Sequence, residues 1–234
     1  MDNFIIELKN VWKVYPQGKV NALKNINLKI KKGDFLSIMG PSGSGKSSLM
    51  NLIGLLDKPT KGKIFFEGKD TSKFSEENLS EIRGSKIGFV FQMFNLVPTL
   101  TTLENIMLPA MFKTSWAEAE KRAIELLKKV NLEERFNHLP KELSGGEQQR
   151  IAIARALINN PEVILADEPT GNLDSKTGTQ IMKILNSLHK EGKTVVVITH
   201  DPIIANYAKK IINIIDGSIS KDHVVMKKYV WKNI

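Results

Sequence analysis

The residues with the clearest chemistry are Gly40-Pro41-Ser42-Gly43-Ser44-Gly45-Lys46-Ser47. They match the pattern G-x-x-x-x-G-K-[ST], a loop whose backbone N–H groups wrap phosphate oxygens. Glycines allow the inward turn, and a helix starting at the end of the loop adds partial positive charge. In such a loop Lys46 reaches the β- and γ-phosphates, and the Ser47 hydroxyl takes one position on Mg²⁺. The chemistry is therefore the holding of a polyphosphate together with its divalent cation.

The flanking elements suit that task. Asp34–Met39 is a short apolar run that predicts a buried strand, and Ser47–Ile53 predicts the first turns of a helix. Further along, Lys86–Phe91 reads as a strand ending at Gln92, Val163–Ala166 as a buried strand ending at Asp167 and Glu168, and Thr194–Thr199 as a buried strand ending at His200. Between them lie amphipathic helices, one starting near Ser144 and another marked by Ile181, Ile184, Leu185 and Leu188. Strands alternating with long helices predict a parallel α/β sheet, in which ligands bind at the carboxyl ends of the strands. That rule gathers the loop, Gln92, Asp167, Glu168 and His200 at one edge.

Each of these positions has a chemical use there. Asp167 after four apolar residues reads as a carboxylate that holds Mg²⁺. Glu168 precedes Pro169, which predicts an extended backbone that points the carboxylate off the strand end. A carboxylate so placed can orient or deprotonate an attacking water. The amide oxygen of Gln92 can accept from that water or bind Mg²⁺. His200 could contact the γ-phosphate or orient Glu168, although a lone histidine at a strand end is more often structural.

Composition bounds the rest. The chain has 234 residues, 41% hydrophobic, with a formal net charge of +9 and no cysteine. This suits one large domain, excludes disulfides and thiolate metal sites, and fits a cytosolic protein. No apolar run reaches the length of a membrane span, and Met1–Ile6 does not read as a secretory signal. The lysines are scattered, as on a solvated basic surface. Residues 4–32 read as strands with Tyr15 and Pro16 in a loop between them, and Lys63–Glu67 as a further short strand. Ser75–Arg83 reads as a polar helix. Thr101-x-x-Glu104 and Ser115-x-x-Glu118 read as capping boxes opening two helices of a helical insertion, the second burying Ala123, Leu126, Leu127 and Val130.

Leu143-Ser144-Gly145-Gly146-Glu147 is a second anion cradle at a helix start, about a hundred residues after the first. One triphosphate does not need two cradles in one chain. At this point the sequence resembles an ABC-type ATPase subunit. Gly40–Ser47, Gln92, Leu143–Glu147, Val163–Glu168, Asn172-Leu173-Asp174 and His200 are similar, in order and spacing, to its Walker A, Q-loop, signature, Walker B, D-loop and switch histidine. The resemblance covers roughly residues 4 to 220. It implies one nucleotide-binding domain over residues 1–234, an α/β P-loop NTPase core with a parallel sheet. That RecA-like core, with an antiparallel β subdomain, is expected over about 1–92 and 160–234, and a helical insertion over about 93–159.

The same resemblance implies ATP and Mg²⁺ as cofactors. Tyr15 would stack on adenine. Gly40 to Ser47 and Ser48 would hold the phosphates, and Ser47, Gln92 and Asp167 the metal. Glu168, His200 and Gln92 would act in hydrolysis. A head-to-tail homodimer would bring Ser144, Gly145, Gly146 and Glu147 of one subunit to the ATP of the other. A finer likeness, carried by Phe89–Pro98, Glu104–Pro109 and Asp167–Ser175, is to the subgroup of lipoprotein-releasing, macrolide-export and antimicrobial-peptide-resistance systems, with a cell-division subgroup nearby. It implies a subunit on the cytoplasmic face of the membrane driving a separate permease, with Phe94, Leu96 and Leu100 in the docking groove and no nucleic-acid partner. The alternatives are a cell-division-type ABC ATPase that acts through a membrane partner without transport, and a soluble nucleic-acid-linked ABC ATPase, which the basic charge could suit. The tail 221–234 departs from the family pattern.

Overall fold

The computed structural model describes residues 4–16 and 20–220, with the backbone of Val225–Met226. The tail from residue 221 otherwise lies outside the described residues. In chain order the elements are β1 (Phe4–Tyr15), β2 (Val20–Lys31), β3 (Phe35–Met39), α1 (Lys46–Ile53), β4 (Lys61–Phe66), β5 (Lys69–Asp70), α2 (Glu76–Lys86), β6 (Ile87–Val90), α3 (Thr102–Met107), α4 (Trp116–Lys129), α5 (Gly145–Leu157), β7 (Val163–Asp167), α6 (Ser175–Lys190), β8 (Thr194–Thr199), α7 (Pro202–Ala205), β9 (Lys210–Ile215), β10 (Ser218–Ile219) and β11 (Val225–Met226).

Two sheets result. The first is antiparallel, in the order β2-β1-β4-β5. The second runs β10-β9-β3-β8-β7-β6, with β11 also on β9. Its five central strands are parallel, and β10 and β11 add antiparallel pairs at the β9 edge. The sheet is thus mixed rather than purely parallel. The parallel strands read as continuous apolar runs because both of their faces are covered. Val195 and Val197 join a core with α3, α4, α5 and α6, whereas Val196 and Ile198 join a core with β1, β2 and α1. Every second residue of β8 therefore serves a different layer.

In β2 the alternation expected for Asn25–Ile30 is met, with Ile26, Leu28 and Ile30 buried and Asn25, Asn27 and Lys29 exposed. Three local expectations are corrected. Tyr15 is not in a loop; it pairs with Val20 as the last residue of β1. Strand β6 stops at Val90, so Gln92 sits in the turn beyond it. Ser115 caps α4 by accepting from the Glu118 N–H, but the Glu118 carboxylate takes the Thr114 hydroxyl, so the reciprocal half of that box is not made. The Thr101–Glu104 box closes in full.

The loop from Gln92 to α3 is ordered from within. The Asn105 side chain is fully buried. It accepts from Val97 N–H at 2.8 Å and donates to the carbonyls of Val97, Leu100 and Thr101 at 2.9–3.1 Å. Val97 O and Thr101 O also accept from the Leu100 and Asn105 N–H groups, whereas Val97 N–H and Leu100 O are served by this side chain. Asn105→Ala strands the latter two, and the expected loss is about 2–4 kcal/mol of unfolding free energy, read from urea titration.

Candidate functional site

The carboxyl ends of β3, β7 and β6 open onto one cavity of about 720 Å³. Its lining includes Ser42, Gly43, Gly45, Lys46, Ser47 and Ser48 from the loop and α1, Gln92, Asp167 and Glu168 from neighbouring strand ends, and Tyr15. Sequence reasoning placed all of these together. Gly40, Pro41 and Ser44 form the inner turn of the loop without lining the cavity.

The loop's shape is set by close backbone approach. Gly45 has φ +102°, and a Cβ there would stand 2.4 Å from the Ala22 carbonyl oxygen. A Cβ on Gly40 would stand 2.3 Å from the Ile214 carbonyl oxygen. Only glycine fits either position. Helix α1 has no acidic residue in its first turn, so its N-terminal N–H groups and dipole are free for an anion. Lys46 Nζ donates to the carbonyls of Gly40 at 2.9 Å and Pro41 at 2.8 Å, which holds the ammonium across the mouth of the loop.

Glu168 departs from expectation. It is not extended but left-handed, with φ +44°. Its N–H donates to Ile198 O at 2.8 Å and continues the β7–β8 ladder; its C=O accepts from Gly171 N–H at 3.0 Å and closes a turn. These hydrogen bonds, with those of the side chain, outweigh the bias that Pro169 imposes. The conformation costs about 1–3 kcal/mol. The carboxylate accepts from His200 N–H at 3.1 Å and from Thr199 Oγ1 at 3.2 Å, and His200 Nδ1 lies 2.7 Å from Oε1. In the tautomer with the proton on Nδ1, the imidazole donates to this carboxylate oxygen. His200 is exposed and lies against the Glu168 carboxylate.

The residues suit a divalent cation carried by phosphates. Burial, and then the neighbouring Glu168, push the Asp167 carboxyl above its ordinary range, against the pull of Lys46. A cation beside it would reverse that. Among the described residues no cluster of three or more His, Asp or Glu is placed to cage a metal. One or two carboxylates, a hydroxyl and an amide are what Mg²⁺ takes when phosphates and waters complete its shell.

Tyr15 lines the cavity with its hydroxyl 3.4 Å from Ser48 Oγ and from Asp57 Oδ2. Lys13 Nζ sits 5.0 Å from its ring centroid and pairs with Asp57 at 2.6 Å. Lys13 and Asp57 escaped sequence reasoning, as did Asn21, Lys24 and Asp216–Gly217 in the lining. The Gly217 N–H donates to Ser44 O at 3.0 Å. Lys13, Asn21 and Lys24 arrive from β1 and β2, Asp57 from the loop after α1 and Asp216–Gly217 from the turn after β9, so the site is assembled from separate stretches of chain.

Ser144, Gly145, Gly146 and Glu147 do not line this cavity. They open α5 with a complete capping box: Ser144 Oγ accepts from Glu147 N–H, and Glu147 accepts from Ser144 N–H at 2.8 Å and its hydroxyl at 2.7 Å. The two cradles of one chain are separate sites.

A family model described as ABC transporter matches residues 23–171. The chain is 56% identical over 226 residues to the ABC transporter ATP-binding protein MJ0796 of Methanocaldococcus jannaschii, covering 93% of this chain and 96% of that one. It is 47% identical over 223 residues to the macrolide export ATP-binding/permease protein MacB of Bartonella henselae, of which it spans 34%. A dimeric structure of the MJ0796 cassette in a post-hydrolysis state, bound to ADP and Pi, superposes with a TM-score of 0.86 at 54% identity over 94% of this chain and 99% of that one. The chain belongs to the ABC transporter family and has the fold of its ATP-binding cassette.

The raised Asp167 carboxyl sets a pH signature. With its folded-state value above the unfolded one, ionised Asp167 destabilises the free protein at neutral pH, and the cost disappears as pH falls below the unfolded value. Asp167→Asn is therefore expected to melt higher than the parent at pH 7 in EDTA without nucleotide. The gap should close toward pH 4, followed by thermal denaturation.

Proposed function

We propose, from membership of the ABC transporter family, that this chain is the ATP-hydrolysing subunit of a transporter and works as a head-to-tail homodimer. The observation that carries the reading is the meeting of Lys46, Ser47, Gln92, Asp167 and the His200-held Glu168 at one cavity, while the Ser144 cradle stands apart from it. The dimeric MJ0796 cassette supports the assembly.

In this reading the N–H groups of Gly43 to Ser48 and the Lys46 ammonium bind the β- and γ-phosphates, and the Tyr15 ring stacks on adenine. Ser47, Gln92 and Asp167 would hold Mg²⁺, which when bound would offset phosphate charge. Glu168 takes a proton from the attacking water. Thr199 and His200 fix its carboxylate, so no reorganisation is needed at the moment of reaction. Ser144, Gly145, Gly146 and Glu147 of the second copy close over the γ-phosphate, so that ATP joins the two subunits and hydrolysis releases them.

The partner is a membrane permease, and the chain would lie on the cytoplasmic face. Support comes from MacB, whose name joins ATP-binding and permease functions and of which this chain spans a third. It also comes from exposed apolar side chains between Gln92 and α4: Met93, Met111, Phe112 and Trp116, with Phe112 86% exposed. Asn95 and Pro109 of the same stretch, with Phe91, Arg155 and Asn159, line a groove of about 320 Å³. Of the groove residues expected from sequence, Leu96 packs against the helical core, and Phe94 and Leu100 are half-buried, so the docking surface shifts to the Met93 and Met111–Trp116 stretches. The transported substrate would be an exported drug, peptide or lipoprotein.

Two measurements test this. Lys46→Ala should weaken ATP binding in equilibrium titration. Glu168→Gln should still bind ATP, lose turnover by about 10²–10⁴-fold, and accumulate as a dimer in light scattering. Wild-type turnover in that variant would remove Glu168 as the base. Pull-down of the tagged chain from detergent-solubilised membranes should recover a multispan protein; recovery of soluble or ribosomal partners alone would overturn the permease reading.

A further inference from the structure

Gln149 lies in the second turn of α5, five residues after the Ser144 cap. Its side chain is fully buried. Its Nε2 donates to the Pro169 carbonyl at 2.8 Å, and its Oε1 has no partner. The carbonyl can only accept, so the amide orientation is determined. A buried amide that satisfies half of itself is a poor choice for packing, because an apolar side chain of the same length would fill the space without stranding an oxygen. The hydrogen bond it makes is to the Pro169–Thr170 peptide group, inside the turn that starts at Glu168.

That peptide group needs a hold. Glu168 is left-handed, and Pro169 has no N–H with which to anchor the turn. The far side of the turn is already fastened. Asn172 Nδ2 donates to Gln92 O at 3.0 Å, and a Cβ on Gly171 would stand 2.7 Å from Gln92 Nε2. Gln149 supplies the hold on the near side. Helix α5 is itself wedged against α6, since a Cβ on Gly146 would stand 2.3 Å from Thr177 Cγ2. The Ser144 cradle and the Glu168 turn are therefore connected by one and a half turns of rigid helix, about 7.5 Å of rise, and one hydrogen bond.

We propose that Gln149 is a positioning residue for ATP hydrolysis: it fixes the Pro169 peptide so that Glu168 is aimed at the nucleotide, and it ties the position of that carboxylate to the seating of its own subunit's Ser144 cradle. This rests on the assignment of Glu168 as base. The residue does not touch nucleotide. Its removal leaves binding groups in place and misaims the base, so it acts on turnover rather than on affinity.

The test uses the full chain and steady-state phosphate release, with Glu168→Gln run alongside. Gln149→Met keeps the length and the apolar fill and deletes the donor. The expected result is a kcat lower by about ten-fold or more, a KM for ATP within about two-fold, and an ATP-bound dimer that accumulates in light scattering as with Glu168→Gln. Gln149→Glu can donate only when protonated, so its turnover relative to the parent should rise as pH falls, whereas that of Gln149→Met should not. A kcat for Gln149→Met within about two-fold of the parent, or a parallel loss of ATP binding and turnover, overturns the proposal. If circular dichroism finds Gln149→Met unfolded, the pH series on Gln149→Glu decides. Wild-type turnover in Glu168→Gln would instead strike the underlying assignment.

Discussion

The grip of Thr199 and His200 on the Glu168 carboxylate is the interaction on which the rest of the site depends. It joins the ends of β7 and β8 beyond their last ladder hydrogen bond, and it holds a non-glycine residue in the left-handed region against the bias of the following proline. Strain of this kind persists only where surrounding structure over-determines it. Here the over-determination is visible in the Ile198 carbonyl, the Gly171 N–H, the last residue of β8 (Thr199) and the residue after it (His200). A carboxylate with both oxygens engaged, one of them by an exposed imidazole, is directed without being buried out of reach of water.

The same economy shapes the phosphate loop. Its glycines are dictated less by the loop's own turns than by distant backbone: the Ala22 carbonyl of β2 against Gly45, and the Ile214 carbonyl of β9 against Gly40. Gly217 in the turn after β9 then bonds to Ser44. The loop is a casting whose mould comes from both sheets. That explains why the antiparallel sheet is packed through α1 onto the parallel one, and why the cavity takes its walls from residues as far apart as Tyr15 and Asp216.

Much of this was legible in the amino-acid sequence. Continuous apolar runs at 163–166 and 194–199 gave strands buried on both faces, and polar residues directly after them could only stand at the carboxyl edge. Motifs made of consecutive residues, such as Gly40–Ser47 and Ser144–Glu147, carry their local geometry with them. What was hidden depends on long-range contacts. The extended backbone expected at Glu168 follows from Pro169 alone and ignores the neighbouring strand. Tyr15 pairs with Val20 because β1 continues to it, which no turn residue signals. Gln149 sits inside an ordinary helical pattern, and its burial against Pro169 is set by how α5 crosses the sheet.

The separation of the two cradles is where structure constrains function most. Helix α5 is fixed on α6 by the Gly146–Thr177 contact and on the Glu168 turn by Gln149, so its N-terminus cannot swing onto the phosphate loop of its own chain without breaking buried contacts. Yet the N–H groups of Gly145 and Gly146, with the helix dipole, stand at the start of α5, where an anion is favoured. The capping box engages the Ser144 N–H and hydroxyl with Glu147 and leaves the two glycine N–H groups to a ligand. A chain that cannot close its second cradle on itself can close it on another copy, and two such closures by the same surfaces form a symmetric pair. In the proposed homodimer a phosphate held by one copy would meet the first turn of α5 of the other, and the second turn of that same helix holds the Glu168 turn of its own copy.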